Sequence, residues 1–190
     1  QGALVLADTA SGEIRALVGD RDPGRPGFNR ALNARRQIGS VIKPLVYLLA
    51  LEHPDDYNLL TRIEDRPVEL KQPDGSTWSP RNFDGVSHGP VTLLEALTRS
   101  YNQATVRLGL ELGLKPLVSR IAQLGVDADI PALPSVLLGA AELTPIEVTQ
   151  IYQSIANAGF SVPLRALEGV QAPDGEELVL RGKVDRLERR

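Results

Sequence analysis

Enzymatic chemistry near neutral pH needs a nucleophile or a base, and this chain offers few. It has no cysteine and only two histidines, His53 and His88. That excludes thiol nucleophiles and cysteine-ligated zinc, and it leaves no helix-spaced histidine pair to hold a metal. His53 ends an apolar stretch before Pro54 and reads as the C-terminal residue of a helix, where positive charge suits the dipole. His88, between Ser87 and Gly89-Pro90, reads as part of a loop. A Ser-His-Asp triad therefore has no well-placed histidine to draw on. What remains is a hydroxyl activated by an amine or a carboxylate beside it.

The arrangement that needs least help from the fold is Ser and Lys one helical turn apart, and Ser40-Val41-Ile42-Lys43 is that arrangement. Residues i and i+3 share a helical face, so the spacing predicts direct reach from the Lys43 amine to the Ser40 hydroxyl, with Ser40 near the positive end of the dipole. The apolar Val41, Ile42, Leu45 and Val46 predict that Lys43 is buried. Burial disfavours the charged form and lowers a lysine's pKa, as a general base requires. The spacing alone is a weak signal: ten serines and four lysines in 190 residues give about 0.2 matches by chance. Only Lys43 qualifies, since Val68, Leu112 and Leu180 stand three places before Lys71, Lys115 and Lys183. A second signal multiplies the first. Of six asparagines, only Asn102 has a serine two places upstream, in Ser100-Tyr101-Asn102. A hydroxyl and an amide on one short loop offer a proton relay and a donor-acceptor pair for an amide substrate. The plainer readings are that Ser40 is a helix N-cap, that Lys43 is a surface lysine lying along apolar neighbours, and that Ser100 and Asn102 cap the next helix.

Composition sets the frame for these residues. With 42% hydrophobic and 24% charged residues and a net charge of −3, the 190-residue chain has the make-up of a globular domain, with no electrostatic footprint for nucleic acid or an anionic membrane surface. It contains no methionine, so Gln1 is not expected to be a native start and the chain is expected to be a piece of a longer one. The pattern predicts a hairpin from Ala3–Asp8 and Glu13–Val18 around Gly12, a helix over Ser40–His53, and a polar, turn-rich stretch over 54–90 with short strands at Val68–Leu70 and Thr77–Trp78. A capping box at Thr92-Leu93-Leu94-Glu95 opens a helix to about Thr98. Helical periodicity follows at Gln103–Leu112 and Pro116–Leu124, stopped by Gly113 and Gly125. Thr144-Pro145-Ile146-Glu147 caps a last helix that Gly159 closes. Pro173-Asp174-Gly175 predicts a turn between short strands, and Arg181–Arg190 a charged tail.

Ser-x-x-Lys followed by Ser-x-Asn is the signature of the penicillin-recognising serine enzymes, and the flanking residues narrow the likeness. Phe28-Asn29-Arg30-Ala31 and Arg36-Gln37-Ile38-Gly39-Ser40-Val41-Ile42-Lys43-Pro44 resemble the nucleophile region of class A, bifunctional penicillin-binding proteins, most closely the 1b type of Gram-negative bacteria. So do Trp78-Ser79-Pro80-Arg81-Asn82, Gly89-Pro90-Val91-Thr92-Leu93, Ala96-Leu97-Thr98-Arg99-Ser100-Tyr101-Asn102, and Leu138-Gly139-Ala140 with Glu142-Leu143-Thr144-Pro145.

The resemblance implies an α+β, helix-rich transpeptidase-like fold with an incomplete antiparallel sheet. It implies a D,D-transpeptidase, without cofactor or metal, that cross-links peptidoglycan stem peptides and reacts with β-lactams. Carried over by motif, Ser40 takes the acyl group from a D-Ala-D-Ala donor and its backbone N–H forms half of an oxyanion hole. Lys43 activates Ser40, Ser100 and Asn102 relay a proton and bind the substrate amide, and Trp78 and Asn82 belong to a cleft wall that contacts substrate. An amine acceptor and cell-wall synthesis proteins are the implied partners, and the periplasmic face of the bacterial inner membrane is the implied location. One departure is clear: no Lys-Thr-Gly or Lys-Ser-Gly run occurs, and Lys183 is followed by Val184. The expectation is therefore a partial transpeptidase domain over residues 1–180, lacking its last sheet strands, with the glycosyltransferase domain and membrane anchor outside this chain. Two other readings stand beside it, a serine β-lactamase-like hydrolase using Glu142 for deacylation and an inactive fragment serving as a cell-wall binding module.

Overall fold

A computed structural model describes residues 2–22, 27–72, 74–167, 170–171 and 177–179. Helices and short strands occur in runs along the chain, in the α+β pattern expected. The order is β1 (Leu4–Ala7), β2 (Ile14–Val18), α1 (Arg30–Asn33), β3 (Arg36–Gln37), α2 (Lys43–Leu51), β4 (Arg62–Asp65), β5 (Leu70–Lys71), β6 (Thr77–Trp78) and β7 (Gly89–Thr92). Then follow α3 (Leu93–Thr98), α4 (Asn102–Leu112), α5 (Leu114–Gln123), β8 (Glu142–Leu143), α6 (Pro145–Ala156), β9 (Val170–Gln171) and β10 (Glu177–Val179). Two compact units result, residues 1–36, 121–128 and 143–190, and residues 37–120 and 129–142.

In the first unit, β1 and β2 form the expected antiparallel hairpin, with Leu4 opposite Val18 and a bulge between Leu6 and Ala7. Asp8 Oδ1 organises its turn by accepting from the backbone N–H of Ala10 and Ser11 at 3.1 and 2.8 Å. Thr144 and Glu147 form a complete capping box at the start of α6, as the spacing predicts. Two buried α6 amides one turn apart then hold the chain that follows. Gln150 donates to Val162 O at 3.1 Å and accepts from Leu164 N at 2.8 Å, while Gln153 donates to Thr9 O at 2.6 Å and accepts from Val162 N at 3.0 Å. β9 and β10 pair antiparallel. The Pro173-Asp174-Gly175 turn expected between them, and the tail from Arg181, lie outside the described residues.

The second unit carries the candidate chemistry, and here the expected Ser40–His53 helix is corrected. Gly39–Ile42 is a 3-10 turn and the α-helix proper runs only over Lys43–Leu51. Pro44 gives the reason at the start: its ring would clash with the carbonyl four residues back, at Ser40, so the chain winds more tightly there. At the other end Pro54 disfavours helical backbone at the residue before it, so His53 lies beyond the helix rather than at its C-terminus.

The stretch 54–90 is also more ordered than its composition suggests. β4 pairs antiparallel with β7, Arg62 opposite Thr92 and Asp65 opposite Gly89, and β5 pairs with β6, Leu70 opposite Trp78. Thr92 caps α3 by accepting from Glu95 N at 3.1 Å. α4 starts at Asn102, one residue before the expected Gln103, and α5 starts at Leu114, which puts Pro116 in its first turn where a missing N–H is harmless. The core of this unit is apolar: Ile42, Leu45, Val46 and Ala50, α3's Leu93, and Ala104, Val106 and Leu108 of α4 are all at most 1% exposed. Buried among them, the Tyr47 hydroxyl meets Thr105 Oγ1 at 3.1 Å. Among the described residues no helix is long and apolar enough to cross a membrane.

Candidate active site

Two glycines shape the turn that presents Ser40. Gly39 has φ +56° and Gly139 φ +78°, both in the left-handed region. A Cβ on Gly139 would overlap the Gly39 carbonyl, so only glycine allows this approach. Across it Gly39 N–H donates to Gly139 O at 3.1 Å and Ile38 N–H to Ala141 O at 3.2 Å. Ser40 comes out exposed, as an attacking group must be. Its side chain caps neither the 3-10 turn nor α2, whose capping residues are Ile38 and Ile42.

The Ser100-Tyr101-Asn102 loop is set by the end of α3. Ser100 N–H donates to Leu97 O at 3.1 Å and Tyr101 N–H to Ala96 O at 2.9 Å, the paired bonds of a Schellman motif. The left-handed position of that motif favours glycine, yet it holds Ser100, at φ +58°. Such a backbone costs roughly 1 kcal/mol or more. A serine placed there keeps a hydroxyl that glycine lacks, and that hydroxyl is in use: Ser100 Oγ lies 3.2 Å from Ser40 Oγ and 2.9 Å from Lys43 Nζ.

Lys43 is 2% exposed, which disposes of the surface-lysine reading. Its Nζ donates three hydrogen bonds, to Ser100 O at 2.7 Å, Ser100 Oγ at 2.9 Å and Asn102 Oδ1 at 2.6 Å. The direct Lys43-to-Ser40 bond predicted from spacing is replaced by a bridge through Ser100 Oγ. Ser40 lies in the 3-10 turn and Lys43 opens the α-helix, so the two are joined by a 3-10 turn, Lys43 N–H to Ser40 O, rather than by an α-turn. Burial pulls the Lys43 amine down from 10.5 to about 8. At pH 7 about one molecule in ten then carries the neutral amine, against roughly one in 3,000 at the ordinary value. Ser40, Lys43, Ser100 and Asn102 thus converge as the motifs require.

Asn82 and Trp78 are placed differently. Trp78 is half-buried at the end of the β5–β6 ribbon. Asn82 is buried and spends its amide inside the protein. Its Nδ2 donates to Asp65 Oδ2 at 2.7 Å and Val86 O at 2.8 Å, and its Oδ1 accepts from Asn102 N at 2.7 Å and Gln103 N at 3.2 Å. Sequence reasoning missed Asp65, a fully buried carboxylate on β4 that also accepts from His88 N, His88 Nδ1 and Ala104 N at 2.9, 2.8 and 3.1 Å. His88 stacks on Tyr101, ring centroids 4.0 Å apart, and serves this network rather than Ser40. No local pattern marks Asp65, which stands beside Glu64 in a run where only Ile63 is apolar.

Residues 2–188 match the penicillin binding protein transpeptidase domain, nearly the whole length of the chain. The chain belongs to the penicillin-binding transpeptidase family. Its curated relatives include penicillin-binding protein 1B of Vibrio cholerae, 49% identical over 94% of this chain and 23% of the relative, and that of Escherichia coli, 49% identical over 93% and 21%. This transpeptidase chain therefore spans about a quarter of those proteins or less. Among solved structures, penicillin-binding protein 1A of Haemophilus influenzae aligns with a TM-score of 0.81 at 30% identity, covering 94% of this chain and 26% of that one. The imipenem acyl-enzyme complex of penicillin-binding protein A from M. tuberculosis aligns with a TM-score of 0.75 at 25% identity, covering 94% and 51%. The penicillin-recognising fold expected from the motifs is the fold observed.

Proposed function

We propose that the chain carries the acylation centre of a D,D-transpeptidase that cross-links peptidoglycan stem peptides and is trapped by β-lactams. The observation that carries this is the link Ser40 Oγ, Ser100 Oγ, Lys43 Nζ, ending on an amine whose burial brings it down to about 8. Ser100 O accepts only, and the Asn102 amide is oriented by its Nδ2 donating to Arg81 O at 2.7 Å, so its Oδ1 also accepts only. A neutral Lys43 can therefore receive a hydrogen only from Ser100 Oγ. The Ser40 proton passes to Ser100 Oγ as Ser100 passes its own to Lys43 Nζ, while Ser40 Oγ bonds to the carbonyl carbon of the penultimate D-Ala or the β-lactam. Lys43 then returns the proton through Ser100 Oγ to the departing amine as its C–N bond breaks. An acceptor amine completes cross-linking by attacking the acyl carbon, giving up a proton to the same pair while Ser40 Oγ regains one as the ester bond breaks. The Ser40 N–H supplies one oxyanion donor, and Trp78 stands as a cleft-wall residue.

The Lys-Thr-Gly type motif, the glycosyltransferase domain and a membrane anchor belong, in this proposal, to the longer parent protein, working at the periplasmic face of the inner membrane with other cell-wall synthesis proteins. Intact mass after a fluorescent penicillin tests the reading. A stable adduct on the chain or its parent that vanishes in Ser40→Ala is expected. No adduct on either would sink it, and rapid hydrolysis without an adduct would make the protein a β-lactam hydrolase. An adduct on the parent alone would show that the further motif is needed for acylation.

A further inference from the structure

The first turn of a helix has amides with no partner inside the helix, and the residue before it usually satisfies them. At α4 that residue is Tyr101, whose side chain makes no such bond. The amides are met from elsewhere in the same unit: Asn82 Oδ1 accepts from Asn102 N and Gln103 N at 2.7 and 3.2 Å, and Asp65 Oδ1 from Ala104 N at 3.1 Å. Asp65 and Asn82 are themselves joined, Nδ2 to Oδ2 at 2.7 Å, which fixes which end of the Asn82 amide faces the helix. His88 clamps the same carboxylate oxygen through its backbone and ring, and its other nitrogen lies 3.1 Å from Asp84 Oδ2. Negative charge at this end of α4 also suits the helix dipole.

We infer that Asp65 and Asn82 are positioning residues for acylation, a helix cap borrowed from β4 and the loop after β6 that fixes where α4 begins and so holds Asn102 Oδ1 against Lys43. A residue whose amide is spent this way acts through Asn102 and not on the substrate. The inference rests on the proposed acylation chemistry and adds to it two residues outside the catalytic motifs.

Acylation of the full-length parent by a fluorescent penicillin, resolved into a non-covalent binding constant and an acylation rate, provides the test. Asn82→Ala is expected to slow acylation about tenfold or more and to move the binding constant less than twofold. In an Asn102→Ala background the same change is expected to cost less than twofold, because the side chain it positions is gone, whereas general loosening of the fold would cost the same in both backgrounds. If Asn82→Ala does not fold, Asp65→Asn, which leaves one of the two carboxylate positions a donor and so opposes at least one N–H that Asp65 now accepts from, is read in the same cycle. Acylation at the wild-type rate in the folded variant, or an equal loss in both backgrounds, overturns the inference. Wild-type protein that forms no Ser40 adduct would count against the proposed function alone, and a crystal structure of Asn82→Ala would still decide the inference, supporting it if Asn102 is displaced and overturning it if Asn102 stays in place.

Discussion

In the unit of residues 1–36, 121–128 and 143–190, the buried polar side chains Gln150 and Gln153 stand one turn apart on α6, each donating and accepting to backbone. In the unit of residues 37–120 and 129–142, Lys43 opens α2 and stands among polar partners on the Ser100 loop, while Asp65 and Asn82 brace α4. The first pair is neutral, and each amide is hydrogen-bonded through both its nitrogen and its oxygen, so burial costs it little. The second set includes a buried cation, and the cost of keeping it charged appears as a pKa of about 8. Similar hydrogen-bonding hardware is therefore scaffold in one unit and, in the proposed function, a base in the other, because amides can be satisfied without changing state and an ammonium can lose its proton.

That contrast is sharpest at Lys43. Lys43→Ala removes the base and leaves Ser100 O and Asn102 Oδ1 without their donor, so acylation by penicillin should fall at least ~1,000-fold. A loss below tenfold would mean that Lys43 is scaffold like the glutamines. Ser100→Gly comes next. It puts glycine where the Schellman motif favours it and breaks the relay, so acylation should drop about 100-fold while the melting temperature rises by about 2 °C or more. A variant both less active and less stable would show that Ser100 is not held against a backbone preference.

The pH dependence is smaller. With the folded-state pKa lowered, the neutral base is scarce at low pH, so the acylation rate should climb about tenfold per unit below pH 7 and level off through about 8. A flat profile from pH 6 to 9 would remove Lys43 from the role of base. The smallest effect on rate is expected in the other unit. Gln153→Ala leaves Thr9 O and Val162 N without their partner and should cost about 1–3 kcal/mol of stability, read by thermal melting. Its acylation rate, measured well below the melting point, should match wild type. A slowed rate there would break the division between scaffold and site.

Features built from neighbours in sequence were legible. The Thr144–Glu147 box needs only four residues and formed as read. The β1–β2 hairpin needs one turn and two alternating runs. Pro44 also marks the shortened helix, because its ring clashes with the carbonyl of Ser40. The strand Arg62-Ile63-Glu64-Asp65 was not legible, because three of its four residues are charged and its partner Gly89–Thr92 lies across a long polar stretch. The same distance hid Asp65, whose burial comes from α4 and from His88 rather than from its own neighbours.

By itself the sequence determined which residues are the candidates for the chemistry. In a chain without cysteine, Ser40, Lys43, Ser100 and Asn102 are singled out by spacing and flanking motif, since chemical type and local spacing are written in the chain. Tertiary structure alone decided how they connect. It placed Ser100 Oγ between Ser40 and Lys43, turned all three Lys43 hydrogens onto Ser100 and Asn102, and gave α4 a cap taken from Asp65 and Asn82. Those choices depend on distances between residues about 20 to 60 positions apart, which packing sets and local pattern does not encode.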